Sequence, residues 1–401
     1  MRALSTLLGL PQHRFASIHV IGTNGKSSVT RMIAALLEAH GVASGACVSP
    51  HTARWSERVL LHGDELGAAE FAAAVERAVA AAEVVNRSLE EGEAVTQFEL
   101  ATAAAFVALA TAGVEAAAIE AGLGGRLDAT NTIPSRVTVL TSIGLDHTRW
   151  LGDTEEQIAA EKLAVLRDHS TLVLGRVNPA IATLAERTAR ERGAELIVAP
   201  EDPGPGVQLR VPGRFQRRNF ALATAAAEVF LGELRPERVE AVAARIEIPG
   251  RLEQIGVDPP AFIDAAHNPD GAAALAEALP EVAAGRPVVA CLAILADKDA
   301  AAMVDALAPA VVHAVCTELP ALPFADGTIS HHMGGFSAHR PGFSVDDLAG
   351  VCAKAGVATE TEPDFGTAVA RGRKLALELG GVLLVTGSHY VLAPAREALA
   401  S

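Results

Sequence analysis

A glycine-rich segment near the start of the chain has the composition of a phosphate-binding loop. It reads Gly22-Thr23-Asn24-Gly25-Lys26-Ser27-Ser28 and lies between a predicted strand, 17–21, and a predicted helix, 26–39. Small residues let backbone N–H groups surround phosphate oxygens, the helix N-terminus adds positive potential, and the lysine adds a charge. The strict P-loop pattern requires glycine at position 20, where this chain has Val20, so the loop is a variant with Gly22 as its early glycine. This context favours nucleotide binding over an ordinary strand–helix turn.

A second polar group follows the predicted strand 116–120, whose last residue is Glu120. A glycine-rich turn then leads to Arg126, Asp128 and Asn131. Ligands of open α/β sheets bind beyond the carboxyl ends of the strands, where a carboxylate can hold Mg²⁺ on a nucleotide. Taken alone, the run reads equally well as a tight turn with a capping aspartate.

Two further residues of the N-terminal half are open to more than one interpretation. His147 occurs in Gly144-Leu145-Asp146-His147-Thr148 and suits a metal ligand, a general base or a hydrogen-bonded core histidine. The neighbouring loop and Glu120 favour a role at the nucleotide site. Lys162 is one of only five lysines, yet a lone lysine beside a glutamate on a helix is usually a solvated surface charge.

A fourth group lies in the C-terminal part, after the predicted strand 262–264. Asp264 and His267 occur in Asp264-Ala265-Ala266-His267-Asn268-Pro269, and Arg251 precedes them at a predicted hinge. A carboxylate and an imidazole at a strand end suit contacts to a nucleotide, and an arginine can stabilise the charge of a transferring phosphoryl group. Asp264 reads equally well as the N-cap of the next helix.

Strand-like and helix-like segments alternate along the chain, which predicts an α/β fold with mostly parallel strands covered on both faces. A boundary at Pro249-Gly250-Arg251 divides the chain into expected domains at 1–248 and 249–401. The remaining predicted strands are 137–142, 171–174, 287–294 and 382–386, and the remaining predicted helices are 100–114, 219–231, 236–246, 271–278 and one from about 390. The histidine-rich stretch 320–342 is predicted to be an exposed loop.

The composition limits the classes of function. The 401 residues carry a formal charge of −15 at pH 7, so the overall field repels nucleic acid and anionic membranes. No apolar run reaches the roughly 20 residues that span a bilayer, and no signal peptide is expected. Four scattered cysteines without a C-x-x-C pair argue against zinc and disulfides and suit a reducing compartment. We therefore expect a soluble, cytoplasmic monomer that binds neither nucleic acid nor membranes.

Taken in order, these groups resemble the folylpolyglutamate synthase/dihydrofolate synthase family, a branch of the Mur-ligase superfamily. The resemblance runs from about residue 17 to about residue 392. Its further motifs are Ser49-Pro50-His51, Glu57-Arg58-Val59, the run 150–154 and Ala296-Asp297-Lys298-Asp299. It implies a P-loop ATPase domain of the Mur-ligase type with a parallel-rich sheet, and a smaller Rossmann-like C-terminal domain. The implied reaction is ATP-dependent addition of L-glutamate to a folate or dihydropteroate carboxylate through an acyl phosphate.

The resemblance also implies a role for each group. The loop 22–28 would bind ATP, with Lys26 on the β- and γ-phosphates. The residues implied to hold two Mg²⁺ ions are Ser28 (or Ser27), Ser49, Glu120, His147 and Lys162, and Lys162 matches a lysine that the family can carbamylate. Those implied to reach the nucleotide from the linker and the second domain are Asn219, Arg251, Asp264 and His267, so that ATP lies between the domains. The implied catalytic set is Lys26, His147, Lys162, Arg251 and His267. The family usually has glycine where this chain has Ser27.

Two alternatives stay open at this point. A Mur-type ligase that acts on a UDP-sugar peptide belongs to the same superfamily, but the runs 127–131 and 296–299 favour the folate branch. A non-catalytic, ATP-binding regulatory protein would bind ATP and release no phosphate. The joint presence of Lys26, Glu120, His147 and Lys162 argues against that second alternative.

Overall fold

The computed structural model describes residues 1–320 and 341–400 of the chain. The described residues divide into two units, which are treated separately below. Unit 1 contains residues 1–210 and 216–246, and unit 2 contains 211–215, 247–320 and 341–400. The predicted loop 320–342, with His331, His332 and His339, falls almost entirely outside the described residues.

Unit 1 is built on an eight-stranded sheet in the order β4-β3-β2-β5-β1-β6-β7-β8. Its strands are β1 (Ala16–Ile21), β2 (Ser44–Cys47), β3 (Val59–Leu61), β4 (Asp64–Glu65), β5 (Ala116–Glu120), β6 (Val137–Leu140), β7 (Thr171–Leu174) and β8 (Glu195–Val198). All neighbours are parallel except β2–β3 and β3–β4, which are antiparallel. The central strand β1 is buried along almost its whole length, as expected for a parallel strand covered on both faces.

The helices of this unit alternate with the strands. They are α1 (Arg2–Leu7), α2 (Lys26–Ala39), α3 (Ala68–Asn86), α4 (Gln97–Thr111), α5 (Thr148–Leu151), α6 (Glu155–Leu163), α7 (Pro179–Glu191), α8 (Arg214–Leu231) and α9 (Pro236–Ala243). One apolar cluster joins α3 and α4 to Ala117 and Ile119 of β5. A second joins α6 and α7 to Ile21 and Leu140 at the ends of β1 and β6. Because parallel strands end on one side of the sheet, the residues after β1, β5 and β6 lie close together.

Unit 2 contains a six-stranded sheet in the order β13-β12-β11-β14-β10-β9. Its elements are β9 (Glu253–Val257), β10 (Pro260–Ile263), α10 (Pro269–Ala283), β11 (Val288–Leu292), α11 (Ala300–Leu307), β12 (His313–Cys316), α12 (Val345–Lys354), β13 (Ala358–Thr361), α13 (Phe365–Glu378), β14 (Val382–Thr386) and α14 (Leu392–Ala400). Only the β9–β10 pair is antiparallel. One apolar cluster joins α10 and α11 to residues of this sheet. A second cluster joins α13 and α14 to other residues of the same sheet.

The predicted α/β class with mostly parallel strands is confirmed, and α2, β5, β7 and β14 have the predicted bounds. Other bounds differ: β6 ends at Leu140 instead of residue 142, α8 begins at Arg214 instead of 219, and α9 ends at Ala243 instead of 246. The apolar run 100–114 is the buried helix α4, shifted to Gln97–Thr111 because Thr96 and Glu99 form a capping box. Among the described helices, none is both long and apolar enough to cross a membrane.

Candidate active site

The glycine-rich loop connects β1 to α2 at the centre of the unit 1 sheet, and both of its glycines have positive φ angles. Gly22 has φ +145°, and a Cβ there would overlap the Thr141 hydroxyl that follows β6. Gly25 has φ +84°, and its Cβ would lie 2.6 Å from Oδ1 of Asn219 on α8. Both positions therefore require glycine, because neighbouring elements approach the loop backbone closely.

The end of β6 fixes the shape of this loop. The Thr23 N–H donates to the carbonyl of Ser142 at 2.8 Å, and the Thr141 hydroxyl donates to the carbonyl of Asn24 at 2.6 Å. The N–H of Gly144 donates to the Thr23 hydroxyl at 3.2 Å. These bonds explain why β6 stops at Leu140, since the next two residues bond to the loop. The loop is thereby organised before any ligand binds.

Lys26 is the first residue of α2, and its side chain folds back over the loop. Its ammonium donates to the carbonyl of Thr23 at 3.0 Å. The charge therefore lies over the helix N-terminus, where backbone N–H groups favour anions. This is the arrangement that the sequence predicts for phosphate binding.

The carboxylate of Glu120, at the end of β5, receives hydrogen bonds from two other segments. The Ser27 hydroxyl donates to Oε1 at 2.9 Å, and the Ser49 N–H donates to Oε2 at 2.9 Å. Glu120 is 2% exposed. Three of the predicted metal-site segments thus meet at one buried carboxylate beside the phosphate loop.

Ser27 and Ser28 differ in what their hydroxyls contact. The Ser28 hydroxyl is buried and has no hydrogen-bond partner within the described part of the chain. The Ser27 hydroxyl contacts Glu120 and also lies 3.3 Å from the Ser49 carbonyl. The family resemblance implies Ser28 (or Ser27) as the magnesium ligand, and the hydroxyl that contacts Glu120 is that of Ser27.

These oxygens suit magnesium better than a transition metal. Hydroxyl and carboxylate oxygens are hard donors, and Mg²⁺ takes one or two protein carboxylates together with phosphate oxygens and water. Across the described ranges, 1–320 and 341–400, no three His, Cys, Asp or Glu side chains cluster as a metal site. A site with so few protein ligands fits an ion that arrives with its nucleotide.

Lys162 is buried on the last turn of α6, at 5% exposure. The interpretation of this residue as a solvated surface charge is therefore wrong. Burial, and to a smaller extent the charge of Lys26, lower its pKa to about 7, while the charges of Asp146 and Asp128 act in the opposite direction. A buried amine with this pKa is largely uncharged in slightly alkaline solution.

The glycine-rich turn after β5 packs against the residues around Lys162. At Gly125, a Cβ would lie 2.6 Å from the carbonyl oxygens of both Glu161 and Lys162. The carboxylate of Asp128 accepts hydrogen bonds from the Leu123 N–H at 2.8 Å and the Thr130 N–H at 2.9 Å. Asp128 therefore organises the turn, as the capping interpretation predicted. Burial raises the pKa of Asp128 and these hydrogen bonds lower it, with burial the larger effect.

His147 lies at the N-terminus of α5 with φ +52°. Its backbone N–H donates to Oδ1 of Asp146 at 2.9 Å, and its ring Nε2 lies 3.8 Å from the same oxygen. The side chain is 34% exposed, so a buried core role is wrong. The partly exposed imidazole thus lies beside a carboxylate on the loop after β6.

Unit 2 gathers Arg251, Asp264 and His267 at the end of β10. The Asp264 carboxylate accepts hydrogen bonds from the N–H groups of Leu252 and Ala266, each at 2.7 Å. The interpretation of Asp264 as a helix N-cap is wrong, because Asn268 caps α10 through its bond from the Gly271 N–H. Burial raises the pKa of Asp264, and the charges of Arg251 and His267 act against that shift.

Comparisons with known proteins show which family this chain is similar to. Residues 20–199 match the model of the Mur ligase middle domain, and residues 250–389 match that of the Mur ligase, glutamate ligase domain. A dihydrofolate synthase/folylpolyglutamate synthase of Mycobacterium tuberculosis is 34% identical over 79% of this chain and 72% of its own. A folylpolyglutamate synthase of Lacticaseibacillus casei is 33% identical over 79% of this chain and 80% of its own.

Solved structures extend the similarity to the whole chain. A Mycobacterium tuberculosis folylpolyglutamate synthase complexed with ADP has a TM-score of 0.89 at 30% identity, covering 100% of this chain and 94% of that one. Escherichia coli FolC in complex with DHPP and ADP has a TM-score of 0.81 at 26% identity, covering 99% of this chain and 92% of that one.

Proposed function

The chain belongs to the folylpolyglutamate synthase/dihydrofolate synthase family of Mur ligases, and from this membership we propose how its residues carry out the ligation. The protein is an ATP-dependent ligase that adds L-glutamate to a folate-type carboxylate. The observation that carries the proposal is the meeting of Ser27, Ser49 and Glu120 beside the phosphate loop. The proposed acceptors are dihydropteroate, tetrahydrofolate or both, since relatives are named for both activities.

The chemistry proceeds in two steps. A carboxylate oxygen of the acceptor attacks the γ-phosphorus of ATP, the bond to the bridging oxygen breaks, and ADP leaves. The amine of L-glutamate then attacks the acyl carbon, gives up a proton, and displaces inorganic phosphate. In the first step Lys26 and the N-terminus of α2 offset the charge of the phosphates, and the fixed loop aligns them. The protein contributes mainly positioning and electrostatic stabilisation.

We propose that Ser27, Ser49 and Glu120 hold the magnesium ion that accompanies ATP. The ion would screen the phosphate charge during transfer. Ser27 replaces Ser28 in this proposal because its hydroxyl already contacts Glu120, whereas that of Ser28 is buried within α2. If the Ser27 hydroxyl hydrogen turned away from Glu120, an oxygen of each residue would be directed at one cation.

We further propose that Lys162 is carbamylated and, with His147, holds a second magnesium ion. An unmodified ammonium cannot bind a cation, whereas a carbamate is an acidic oxygen ligand. In carbamylation the amine nitrogen bonds to the carbon of CO₂ and loses one proton to solvent. The buried position of Lys162 supports this step, since only the uncharged amine reacts.

The remaining family positions are proposed to contact the nucleotide. Asn219 is the best supported of these, because its amide oxygen approaches the backbone of Gly25 in the phosphate loop. Arg251, Asp264 and His267 interact through their charges in unit 2, which suits contacts to a polar ligand. Domains at 1–248 and 249–401 are proposed as the two functional halves.

The experiment that tests the proposal compares acceptors. The protein is incubated with Mg-ATP, L-glutamate and one of three acceptors: dihydropteroate, tetrahydrofolate or a UDP-sugar peptide. The masses of the products are then measured by mass spectrometry. Addition of a glutamate residue to either pteroyl acceptor supports the proposal and names the activity. Reaction of the UDP-sugar peptide alone would contradict it.

A further inference from the structure

The loop between β2 and β3 begins and ends beside Glu120. It leaves the sheet at Ser49, whose N–H bonds to the Glu120 carboxylate. It returns at Arg58, whose carbonyl accepts a hydrogen bond from the Val48 N–H at 2.9 Å. Arg58 thus stands at the neck of this loop, and the charges of Arg58 and Glu120 act on each other. The proposed mechanism gives this arginine no task.

Two aromatic side chains of the same loop hold the Arg58 guanidinium. Its Nε donates to Nδ1 of His51 at 3.0 Å, and its Cζ lies 4.5 Å from the ring centroid of Trp55. The rings of His51 and Trp55 contact each other with centroids 4.5 Å apart. One edge and one face of the guanidinium are therefore fixed, which leaves its terminal nitrogens to bind a ligand.

Among the described residues Arg58 forms no ion pair with a carboxylate, and the charge of Glu120 acts on it only from farther away. Glu57, next in sequence, instead accepts hydrogen bonds from the N–H groups of Thr52, Ala53 and Arg54. Because a guanidinium N–H can only donate, Nδ1 of His51 acts as the acceptor in its contact with Arg58. A half-buried, rigid guanidinium without an ion pair is a site for an anion.

We infer that Arg58 binds the reacting carboxylate of the acceptor and that His51 positions Arg58. This inference rests on the proposed function. The acceptor carboxylate must approach the negatively charged γ-phosphate, and Lys26 lies on the side of the phosphate loop. Arg58, at the neck of the loop between β2 and β3, would be a second cation. On the acceptor's side it would offset the repulsion between the carboxylate and the γ-phosphate. The planar guanidinium also matches the two oxygens of a carboxylate.

The test compares Arg58→Gln with Arg54→Gln, an arginine of the same loop that pairs with Glu65 at the surface. Arg58→Gln is expected to lower kcat/KM for the acceptor by about 100-fold and to leave the Kd of a non-hydrolysable ATP analogue within about twofold. Arg54→Gln should leave both values unchanged. The wild type should bind the acceptor more tightly than its carboxamide analogue, and Arg58→Gln should not distinguish the two.

His51 is tested through variants that keep Arg58. His51→Leu should lower kcat/KM for the acceptor, and His51→Asn, whose amide oxygen can replace Nδ1, should restore most of it. If Arg58→Gln does not fold, His51→Leu provides the same comparison. If the wild type is active, unchanged acceptor kinetics in the folded variants would overturn the inference. A loss of nucleotide affinity as large as the loss of kcat/KM for the acceptor would overturn it as well. A wild type inactive with every pteroyl acceptor would instead overturn the proposed function.

Discussion

The Ser27 hydroxyl donates a hydrogen bond to the Glu120 carboxylate across 2.9 Å, and this bond joins the first turn of α2 to the end of β5. The other carboxylate oxygen accepts from the Ser49 N–H. Residues that are 93 positions apart in sequence thus share one polar contact beside the phosphate loop. Their proximity follows from the parallel pairing of β5 with β1, in which Val20 lies opposite Glu120.

Adjacent serines of α2 should respond differently to substitution. Ser27→Ala removes the hydroxyl that contacts Glu120 and should lower kcat/KM for Mg-ATP by about 100-fold, with a rise in the Mg²⁺ concentration needed for half-maximal rate. Ser28→Ala removes a buried hydroxyl without a described hydrogen bond, so kinetics and stability should change little. Steady-state rates at varied Mg²⁺ measure both. The reverse order of effects would return the metal role to Ser28.

Carbamylation of Lys162 predicts dependence on carbon dioxide. Enzyme prepared in CO₂-free buffer should lose activity, by more than about tenfold, and bicarbonate should restore it. Lys162→Arg cannot form the carbamate and should stay inactive with or without bicarbonate. Lys374→Arg, at an exposed lysine that pairs with Glu378, is the matched control and should respond like the wild type. Full activity without CO₂ would exclude the modification.

The close packing of the glycine-rich turn on α6 predicts a cost at Gly125. Gly125→Ala would place a Cβ against two backbone carbonyls and should lower the free energy of unfolding by about 1–3 kcal/mol. Gly350→Ala is the control, because it lies exposed within α12 and its Cβ would meet nothing within 4 Å. That control should stabilise by about 0.5–1 kcal/mol. Denaturant titration measures both, and equal effects would contradict the packing.

Buried His19 predicts a loss of stability in acid. Burial, and to a smaller extent the charge of Arg167, lower its pKa from 6.5 to about 3, so the folded state resists a proton that the unfolded state accepts. Its contribution is full above pH 6.5 and is lost as the pH falls towards 3. His19→Gln can keep the donor to the Thr130 hydroxyl, now 2.8 Å from Nε2, without titrating. Its Tm should therefore fall less steeply between pH 6.5 and 4, and parallel curves would argue against this origin.

The fold was largely predictable because the hydrophobic segments end at glycine or polar residues, close to the ends of the strands and helices. Gly25 ends the loop and α2 begins at Lys26, as predicted, and β5 ends at the predicted Glu120. The short antiparallel strands β3 and β4 were not predicted, since three and two residues carry too little pattern. Strand β6 was predicted too long because Thr141 and Ser142 favour an extended backbone, while their hydroxyls bond to the loop.

The sequence singled out Ser27, Ser49 and Glu120, which meet beside the phosphate loop, but it did not predict the contacts between them. Sequence alone could not choose between Ser27 and Ser28, because that choice depends on which hydroxyl of α2 faces β5. The burial of Lys162 was equally hidden, since a glutamate beside it suggests an exposed helix face. Arg58 belongs to the motif Glu57-Arg58-Val59, yet its contacts with His51 and Trp55 could be found only from the structure.

The most direct measurement of the central claim follows the acceptor's oxygen. Tetrahydrofolate and dihydropteroate are each labelled with ¹⁸O in the reacting carboxylate and incubated with Mg-ATP and L-glutamate, and the inorganic phosphate is analysed by mass spectrometry. Attack on the γ-phosphorus predicts that, with whichever acceptor turns over, each released phosphate carries one oxygen from that carboxylate. Phosphate that lacks the label, or no phosphate with either acceptor while ATP still binds, would contradict ligation through a folate acyl phosphate.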